Sequence, residues 1–314
     1  MSSGRGSRLQ HTGLKNKYTW FGVAAIMLWA CSVGLTRSVT ELLSPIGGAA
    51  MMYSVSTLFL WLVFGFPRIS LKSLRYFVIG GILFAAYEIC ISLAVGLSHS
   101  RHQAMEMAVV NYLWPALTVL LTVFVQRKRN SVWLYVGVLI AFSGVVWCLF
   151  NGEAWSLEVL SANVADNPLT YGLALFGAVI WALYCTLTQS WSDGENGITL
   201  FFALTALTLW GQYGLSDEPA LAFSYTSIGY LLASAAVMGS GYGLWNLAIL
   251  RGDMMLLATL SYFTPVFATL FSSLILGIVL DWSFWQGVAM VSLGSLICWW
   301  VTRDKPQSLA TVST

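Results

Sequence analysis

A proline-containing apolar segment occurs twice in this chain, and the two copies keep one register. Arg101 begins the first copy and Arg251 the second, and Pro115 and Pro265 stand at the same distance along them, 150 residues apart. A match of this length without gaps is a sign of duplication. The sequence therefore predicts two copies of one structural unit. The same offset relates Met105 to Met255, Ala108 to Ala258, Tyr112 to Tyr262 and Leu120 to Leu270.

The composition shows that these two copies lie in a membrane. Hydrophobic residues make up 58% of the chain and charged residues 9%, which departs widely from the balance of soluble domains. A helix needs about 20 apolar residues to cross the hydrocarbon layer, and ten such spans follow one another. They cover residues 19–38, 45–65, 76–97, 104–125, 132–150, 169–190, 198–215, 226–250, 255–279 and 284–302.

Each copy contains five of these spans. Trp29 in the first span corresponds to Trp181 in the sixth, and Gly144 in the fifth corresponds to Gly294 in the tenth. Because five is an odd number, the second copy must enter the membrane in the opposite orientation, an arrangement that places the binding site near the midplane between the copies. The predicted fold is an all-α polytopic membrane protein with ten transmembrane helices as two five-helix inverted repeats.

The distribution of Lys and Arg predicts the orientation, because these residues are enriched in cytoplasmic segments. With both termini in the cytoplasm, thirteen of the fifteen fall on that side, and Arg37 and Arg101 fall outside. The expected organisation is a cytoplasmic tail at 1–18, the first repeat at 19–150, a polar periplasmic connector at 151–168, the second repeat at 169–302 and a cytoplasmic tail at 303–314.

Glu88 is the ionisable residue placed deepest in a span, and such groups are costly in a membrane and usually functional. It shares one helical face with Gly81, Ala85 and Ser92. Small and polar residues on one face suit either close helix packing or the wall of a wet cavity. Glu88 is therefore interpreted either as a neutral group hydrogen-bonded to another helix or as a group that handles substrate or protons.

The two prolines point to the binding site. Each removes a backbone N–H and leaves a carbonyl group one turn earlier without its helical donor. One transmembrane proline is often only a packing kink, but two in matched positions indicate a transport path. Polar and aromatic side chains away from the span ends complete the predicted cavity. The candidates are Trp29, Tyr87, Glu88, Asn111, Tyr112, Trp114, Trp181, Tyr184, Trp245 and Tyr262, with Pro115 and Pro265 as gating kinks.

Several other chemistries are disfavoured by the pattern. The five cysteines stand singly in apolar runs, which predicts neither disulfides nor metal ligands. His99 and His102 have the spacing of metal ligands, but no further cluster joins them, so an exposed turn is the favoured interpretation. Phosphorylated substrates would require several cations in the cavity, and no Lys lies deep in a span. An aromatic zwitterion, in contrast, suits aromatic walls and an acceptor for its ammonium group.

The chain resembles the drug/metabolite transporter superfamily, in its ten-helix EamA-like branch. The resemblance covers nearly the whole sequence and is most specific in the Trp29 and Trp181 segments, the two proline helices, and residues 137–144 and 287–294. The run from Asn111 to Pro115 matches members that export aromatic amino acids. The resemblance implies a bacterial inner-membrane exporter of aromatic amino acids or related small zwitterions, which works by alternating access through a central cavity and is not an enzyme.

Two alternatives stay open. Efflux of cationic or aromatic drugs would use the same aromatic side chains and Glu88. A membrane-embedded enzyme or a structural protein is more remote, because an enzyme needs a nucleophile–base or metal constellation. The expected partners are the lipid bilayer, a small-molecule substrate and, if transport is coupled, protons. We expect no cofactor, no nucleic acid and a monomer, and the sequence does not choose between proton antiport and facilitated diffusion.

Overall fold

Hydrocarbon offers no hydrogen-bond partners to the backbone, so a chain of this composition must satisfy its peptide groups within helices. The structure is a computed structural model, and within the residues that it describes every regular element is helical. The all-α membrane class is therefore confirmed. The described residues are 17–67, 69, 71–126, 131–149, 157–188, 191, 195–251 and 260–302.

Parts of the predicted organisation lie outside the described residues. They are residues 1–16 and 303–314 of the two tails, the charged loop at 127–130, residues 150–156 of the connector region, 189–190 at the end of the sixth span and 255–259 at the start of the ninth.

Helices lie in all ten predicted spans, but the fourth span is divided into two helices and the ninth is described only from residue 260, so the count of ten stays a prediction. Seven helical stretches among the described residues are long and apolar enough to cross a membrane. A short π-helical turn, Tyr76–Gly80, leads into the third helix. In chain order the helices are α1 (Lys17–Leu42), α2 (Pro45–Phe64), α3 (Gly81–Gly96), α4 (Arg101–Asn111), α5 (Trp114–Gln126), α6 (Val132–Leu149), α7 (Leu157–Asp166), α8 (Pro168–Thr188), α9 (Ile198–Leu215), α10 (Tyr225–Arg251), α11 (Thr264–Leu276) and α12 (Trp282–Thr302).

The proline segments are broken at equivalent places. Residues 112–113 form a turn between α4 and α5, and residues 262–263 form the corresponding turn before α11. In both turns the second residue donates its N–H to the carbonyl oxygen three residues earlier, at 3.2 and 3.0 Å. Proline follows each turn by two residues, and it cannot donate to the carbonyl one turn before it. The break is therefore a property of the duplicated unit.

The predicted connector at 151–168 contains a helix that the hydropathy pattern does not reveal. Helix α7 has ten residues and carries Glu158 in its first turn, where an acidic side chain is favoured by the helix dipole. The Asn163 side chain donates to the carbonyl oxygen of Leu149 at 2.8 Å. This contact ties α7 to the C-terminal end of α6.

The helices separate into two compact units, and each unit draws on both sequence copies. Unit 1 comprises Met1–Ile69 and Gly194–Gly277, so it holds α1 and α2 together with α9, α10 and α11. Unit 2 comprises Ser70–Asp193 and Ile278–Thr314, so it holds α3 to α8 together with α12. The two copies follow one another along the sequence, whereas each compact unit contains helices from both copies.

In unit 2, the last helices of the two copies pack closely through glycine. A Cβ atom placed on Gly144 would lie 2.6 Å from the carbonyl oxygen of Gly287, and one placed on Gly137 would lie 2.8 Å from that of Gly294. Gly137 pairs with Gly294, and Gly144, further along α6, pairs with Gly287, which comes earlier in α12. The two helices therefore run antiparallel. Only glycine fits at this separation, because small residues let helix backbones approach closely.

The contacts between α6 and α12 are reciprocal. The Cys148 thiol donates to the carbonyl oxygen of Phe284 at 3.4 Å, and the Cys298 thiol donates to that of Leu134 at 3.6 Å. The offset of 150 residues converts one contact into the other. An interface in which each surface makes the same contacts to its counterpart has two-fold character. An inverted duplication requires an antiparallel, reciprocal pairing of its fifth and tenth spans, and these spans are α6 and α12.

In unit 1, α2 and α9 also pack antiparallel. The Trp210 indole N–H donates to the Ser54 hydroxyl at 2.9 Å, while Gly47, at the start of α2, lies against Tyr213 near the end of α9. The carboxylate of Glu218 accepts the backbone N–H of Gly47 at 3.0 Å. A carboxylate at this position satisfies donors that a helix N-terminus leaves without partners.

We expect Gly144→Ala to destabilise the protein, because the added methyl group must displace the α12 backbone. Overpacking of this kind costs about 1–3 kcal/mol. The measurement is the midpoint of thermal unfolding of detergent-purified protein. Gly172→Ala is the matched control, since a Cβ at Gly172 meets nothing within 4 Å. Equal midpoints for the two variants would contradict the close crossing.

Candidate functional site

Helix α8 organises unit 2 because it carries Gly177, Trp181 and Tyr184 on one face, four and three residues apart. Ring and Cβ contacts pair α3 with this face in an antiparallel sense, since Phe84 lies near Tyr184 while Cys90 lies near Gly177. The proline segment α4–α5 runs parallel to α8, since Glu106 lies near Tyr171 and Trp114 lies near Trp181. The three helices therefore converge on the middle of α8.

Aromatic rings fill that convergence. The Trp181 ring centroid lies 4.9 Å from that of Tyr184, with an interplanar angle of 17°, and 4.4 Å from that of Tyr87. The Trp114 ring meets Trp181 edge-on, with centroids 6.3 Å apart. Four predicted site residues thus form one cluster. Together with Phe84 they are called the aromatic cluster below.

Phe84 is a member that sequence reasoning missed. Its side chain is fully buried, and its ring centroid lies 5.8 Å from that of Tyr184 and 6.0 Å from that of Trp181. A phenylalanine in a membrane helix is not distinctive by itself. The available signal was its position one helical turn before Glu88, which places both residues on nearly the same face.

Asn111 forms a polar corner at the edge of the cluster. It is the last residue of α4 and is 4% exposed. Its side-chain N–H donates to the Tyr87 hydroxyl at 3.3 Å. Its side-chain oxygen is buried and has no hydrogen-bond partner. Its backbone carbonyl precedes Pro115 by four residues, so the usual helical donor is also missing.

Glu88 lies beside the same cluster. It is 3% exposed, and the predicted stripe of Gly81, Ala85 and Ser92 is buried with it. It directly follows Tyr87 in α3 and lies one helical turn after Phe84, both members of the aromatic cluster. The face of α3 that carries these small and polar residues is therefore directed toward the interior of unit 2.

Tyr112 and Pro115 occupy the broken segment itself. Tyr112 lies in the turn between α4 and α5, directly after Asn111, and is 8% exposed. Pro115 is the second residue of α5. Every unit 2 residue in the predicted site therefore lies in or beside the convergence of α3, α4–α5 and α8.

Unit 1 gathers a second aromatic group around Trp29, which corresponds to Trp181 in the duplication. The Trp29 ring centroid lies 5.1 Å from that of Trp245 and 5.2 Å from that of Tyr242. The Trp29 indole N–H is buried and has no hydrogen-bond partner. A Cβ placed on Gly241 would lie 3.0 Å from the Trp29 indole nitrogen. Since α10 is continuous here, the glycines at 239–243 serve close packing.

The remaining predicted residues of unit 1 lie at the second break. Tyr262 is in the turn at 262–263, and Pro265 is the second residue of α11 and is buried. Tyr242 was not among the predicted site residues, although it precedes Trp245 by three positions and therefore shares its helical face.

A separate polar network joins the start of α4 to α7 and α8. The Tyr171 hydroxyl donates to the carboxylate of Glu106, and the His102 ring nitrogen Nδ1 lies 3.2 Å from another oxygen of that carboxylate. His99 pairs with Asp166 through a distance of 2.9 Å. A cavity of about 200 Å³ lies among these groups. The two histidines therefore pair with carboxylates. His99 is exposed and precedes α4, as predicted for a turn, whereas His102 lies within α4 and is only partly exposed.

Asn167 closes this network from the junction of α7 and α8. Its side-chain N–H groups donate to the carbonyl oxygen of Leu97 at 2.9 Å and to the Gln103 amide oxygen at 3.2 Å. The partners lie more than 60 residues apart in the chain, so helical spacing could not reveal them. The network fastens α7 and the first turn of α8 to α4.

Comparison with known proteins defines the class of protein. The EamA-like transporter family matches residues 168–300. The aromatic amino acid exporter YddG of Salmonella typhimurium is 46% identical over 290 residues, which cover 92% of this chain and 99% of the relative. YddG of Escherichia coli K12 is 43% identical with the same coverage, and that of Ancylobacter novellus is 26% identical over 268 residues, which cover 82% of this chain and 88% of the relative.

A solved crystal structure shares the fold. Its TM-score is 0.61 with 22% sequence identity, and the match covers 90% of this chain and 96% of that chain. The helices and these relatives together define a multi-pass inner-membrane transporter rather than an enzyme. This chain belongs to the EamA-like transporter family, and the resemblance to the drug/metabolite transporter superfamily is confirmed.

Proposed function

We propose that this chain exports aromatic amino acids across the inner membrane by alternating access. The observation that carries the proposal is the stack of Tyr87, Trp181 and Tyr184 around the middle of α8. Aromatic faces and edges bind other aromatic rings with favourable geometry. The relatives that match nearly their whole length are aromatic amino acid exporters, which supports the same substrate class here.

The polar groups around the cluster suit the charged end of an amino acid. Glu88 can hold the ammonium group, because a carboxylate and a cation attract strongly where water is scarce. Helix α5 begins at Trp114, inside the cluster, and the N-terminus of a half-helix carries partial positive charge that suits a carboxylate. A cationic aromatic drug would use Glu88 and the rings but would leave the α5 terminus without a partner.

Trp181→Ala should lower the rate of tryptophan efflux at least about tenfold, because it removes the ring on which the cluster is stacked. The assay measures release of labelled tryptophan from proteoliposomes that contain purified protein. Trp133→Ala is the control, since Trp133 is 58% exposed at the start of α6. Release of a lipophilic aromatic cation without release of any aromatic amino acid would favour the drug-efflux alternative.

The same assay addresses coupling to protons. An initial rate of tryptophan release that does not depend on an imposed pH gradient would indicate facilitated diffusion.

We further propose that the two broken segments act as hinges in alternating access. Helix breaks at matched positions are where rigid half-helices can change angle. Pro115→Ala and Pro265→Ala should each insert and purify as folded protein yet transport several-fold more slowly. Thermal unfolding midpoints near that of the wild type, measured together with efflux, separate a hinge effect from misfolding. Full transport in both variants would make the prolines packing features.

We also propose that both termini lie in the cytoplasm and that α7 lies on the periplasmic side, because Lys and Arg concentrate in the segments assigned to the cytoplasm. Ala162 is exposed on α7, and Ser308 lies in the C-terminal tail. In a cysteine-free background, a membrane-impermeant maleimide should label Ala162→Cys in intact spheroplasts and Ser308→Cys only after lysis. Labelling of both residues from one side would refute the orientation.

A further inference from the structure

The unpartnered oxygen of Asn111 suggests how the site distinguishes one aromatic substrate from another. We propose that this oxygen accepts a hydrogen bond from the donor on the substrate's aromatic ring, the N–H of an indole or the O–H of a phenol. This inference rests on the proposed export of aromatic amino acids. It assigns to Asn111 a preference for tryptophan and tyrosine over phenylalanine, whose ring has no donor.

The Asn111 oxygen differs in kind from most other buried polar atoms without a partner. Among the described residues, most of those atoms are serine and threonine hydroxyls, which can rotate toward a carbonyl one turn earlier in their own helix. An amide oxygen can only accept, so it cannot bond to a backbone carbonyl, and the Tyr87 hydroxyl is already bonded to the amide N–H. A buried acceptor without a partner destabilises the protein, so its presence beside the proposed substrate site indicates that a ligand completes it.

The surroundings orient the amide and set its oxygen opposite a glycine. The Tyr87 hydroxyl accepts the Asn111 N–H at 3.3 Å and so orients the amide plane. Across from the oxygen stands Gly177, where a Cβ would lie 3.7 Å from the oxygen and 3.8 Å from the Tyr87 ring. The Asn111 oxygen and the Tyr87 ring therefore both border the position of Gly177. A substrate ring that stacks in the cluster presents its own edge, with its N–H or O–H, in this direction.

Glu88 and Asn111 are both acceptors, but their chemistry suits different parts of the substrate. The ammonium group carries a full charge and is best held by the carboxyl group of Glu88. A neutral amide among aromatic rings suits a neutral donor, because burying a charge beside an uncharged acceptor leaves most of its desolvation cost uncompensated. Asn111 is thereby assigned to the ring and Glu88 to the amino acid backbone.

The test compares tryptophan with 3-benzothienylalanine, in which sulfur replaces the ring N–H and the shape is nearly unchanged. Proteoliposomes containing the full chain are loaded with each amino acid, and initial efflux rates are measured over a range of concentrations. Wild-type protein should transport tryptophan about tenfold more efficiently, because loss of one hydrogen bond at a buried acceptor costs about 1.4 kcal/mol. Tyrosine should likewise be transported more efficiently than phenylalanine, because only tyrosine has a donor on its ring.

Variants connect the preference to Asn111. Asn111→Leu keeps the size and removes the acceptor, so the ratio of the two rates should fall to about one. Glu88→Gln should lower both rates and leave the ratio unchanged. Thr118→Val is the matched control, because the Thr118 hydroxyl is bonded to the carbonyl oxygen of Trp114 at 2.7 Å, and it should preserve the ratio. Gly177→Ala, which covers the oxygen with a methyl group, should reduce the ratio.

The outcomes are separable. If wild-type protein transports tryptophan and 3-benzothienylalanine equally well, the assignment of Asn111 is wrong. This test needs no variant, so it can be made even if Asn111→Leu does not fold. An unchanged ratio in folded Asn111→Leu also overturns it, as does an equal loss of both rates in that variant with the ratio preserved. Failure of the wild-type protein to release any aromatic amino acid rejects the proposed function itself.

Discussion

The bilayer supplies no hydrogen-bond partners to peptide groups, and this constraint governs the architecture of the protein. Helices meet it along most of the chain, so the exceptions are informative. The turns at 112–113 and 262–263 are such exceptions. In unit 2 the break adjoins Asn111, the aromatic cluster and Glu88. Polar backbone and polar side chains are thus concentrated in one place in unit 2, which is the proposed substrate site.

The two units bring their helices into close contact through different residues. Unit 2 brings α6 and α12 together through facing glycines and reciprocal thiol contacts to backbone carbonyls. Unit 1 joins α2 to α9 through an indole–hydroxyl hydrogen bond and a carboxylate at the α2 N-terminus. Without a hydrophobic driving force in lipid, backbone approach and hydrogen bonds between helices must supply the association energy. Both units use these two sources.

Much of this could be predicted from the sequence, for identifiable reasons. Hydropathy gives the spans because each must bridge the same thickness, and the matched prolines locate both breaks. The face of α3 that carries Glu88 was recognisable from helical spacing. The interleaving of the two copies was not, because it depends on which helix faces pack together. The contact of Tyr171 with Glu106 was also hidden, since 65 residues separate them and neither side chain is distinctive alone.

The reciprocal packing of α6 and α12 has a consequence for how the site could diversify. Two separate identical subunits related by a two-fold axis must carry the same residue at both equivalent positions, so every useful substitution is imposed twice. Joining the copies in one polypeptide lifts that restriction and holds both at a high effective concentration. Asn111 and Ser261 are equivalent by the 150-residue offset, yet they differ. One half of the chain can therefore specialise in recognition while its counterpart evolves under other demands.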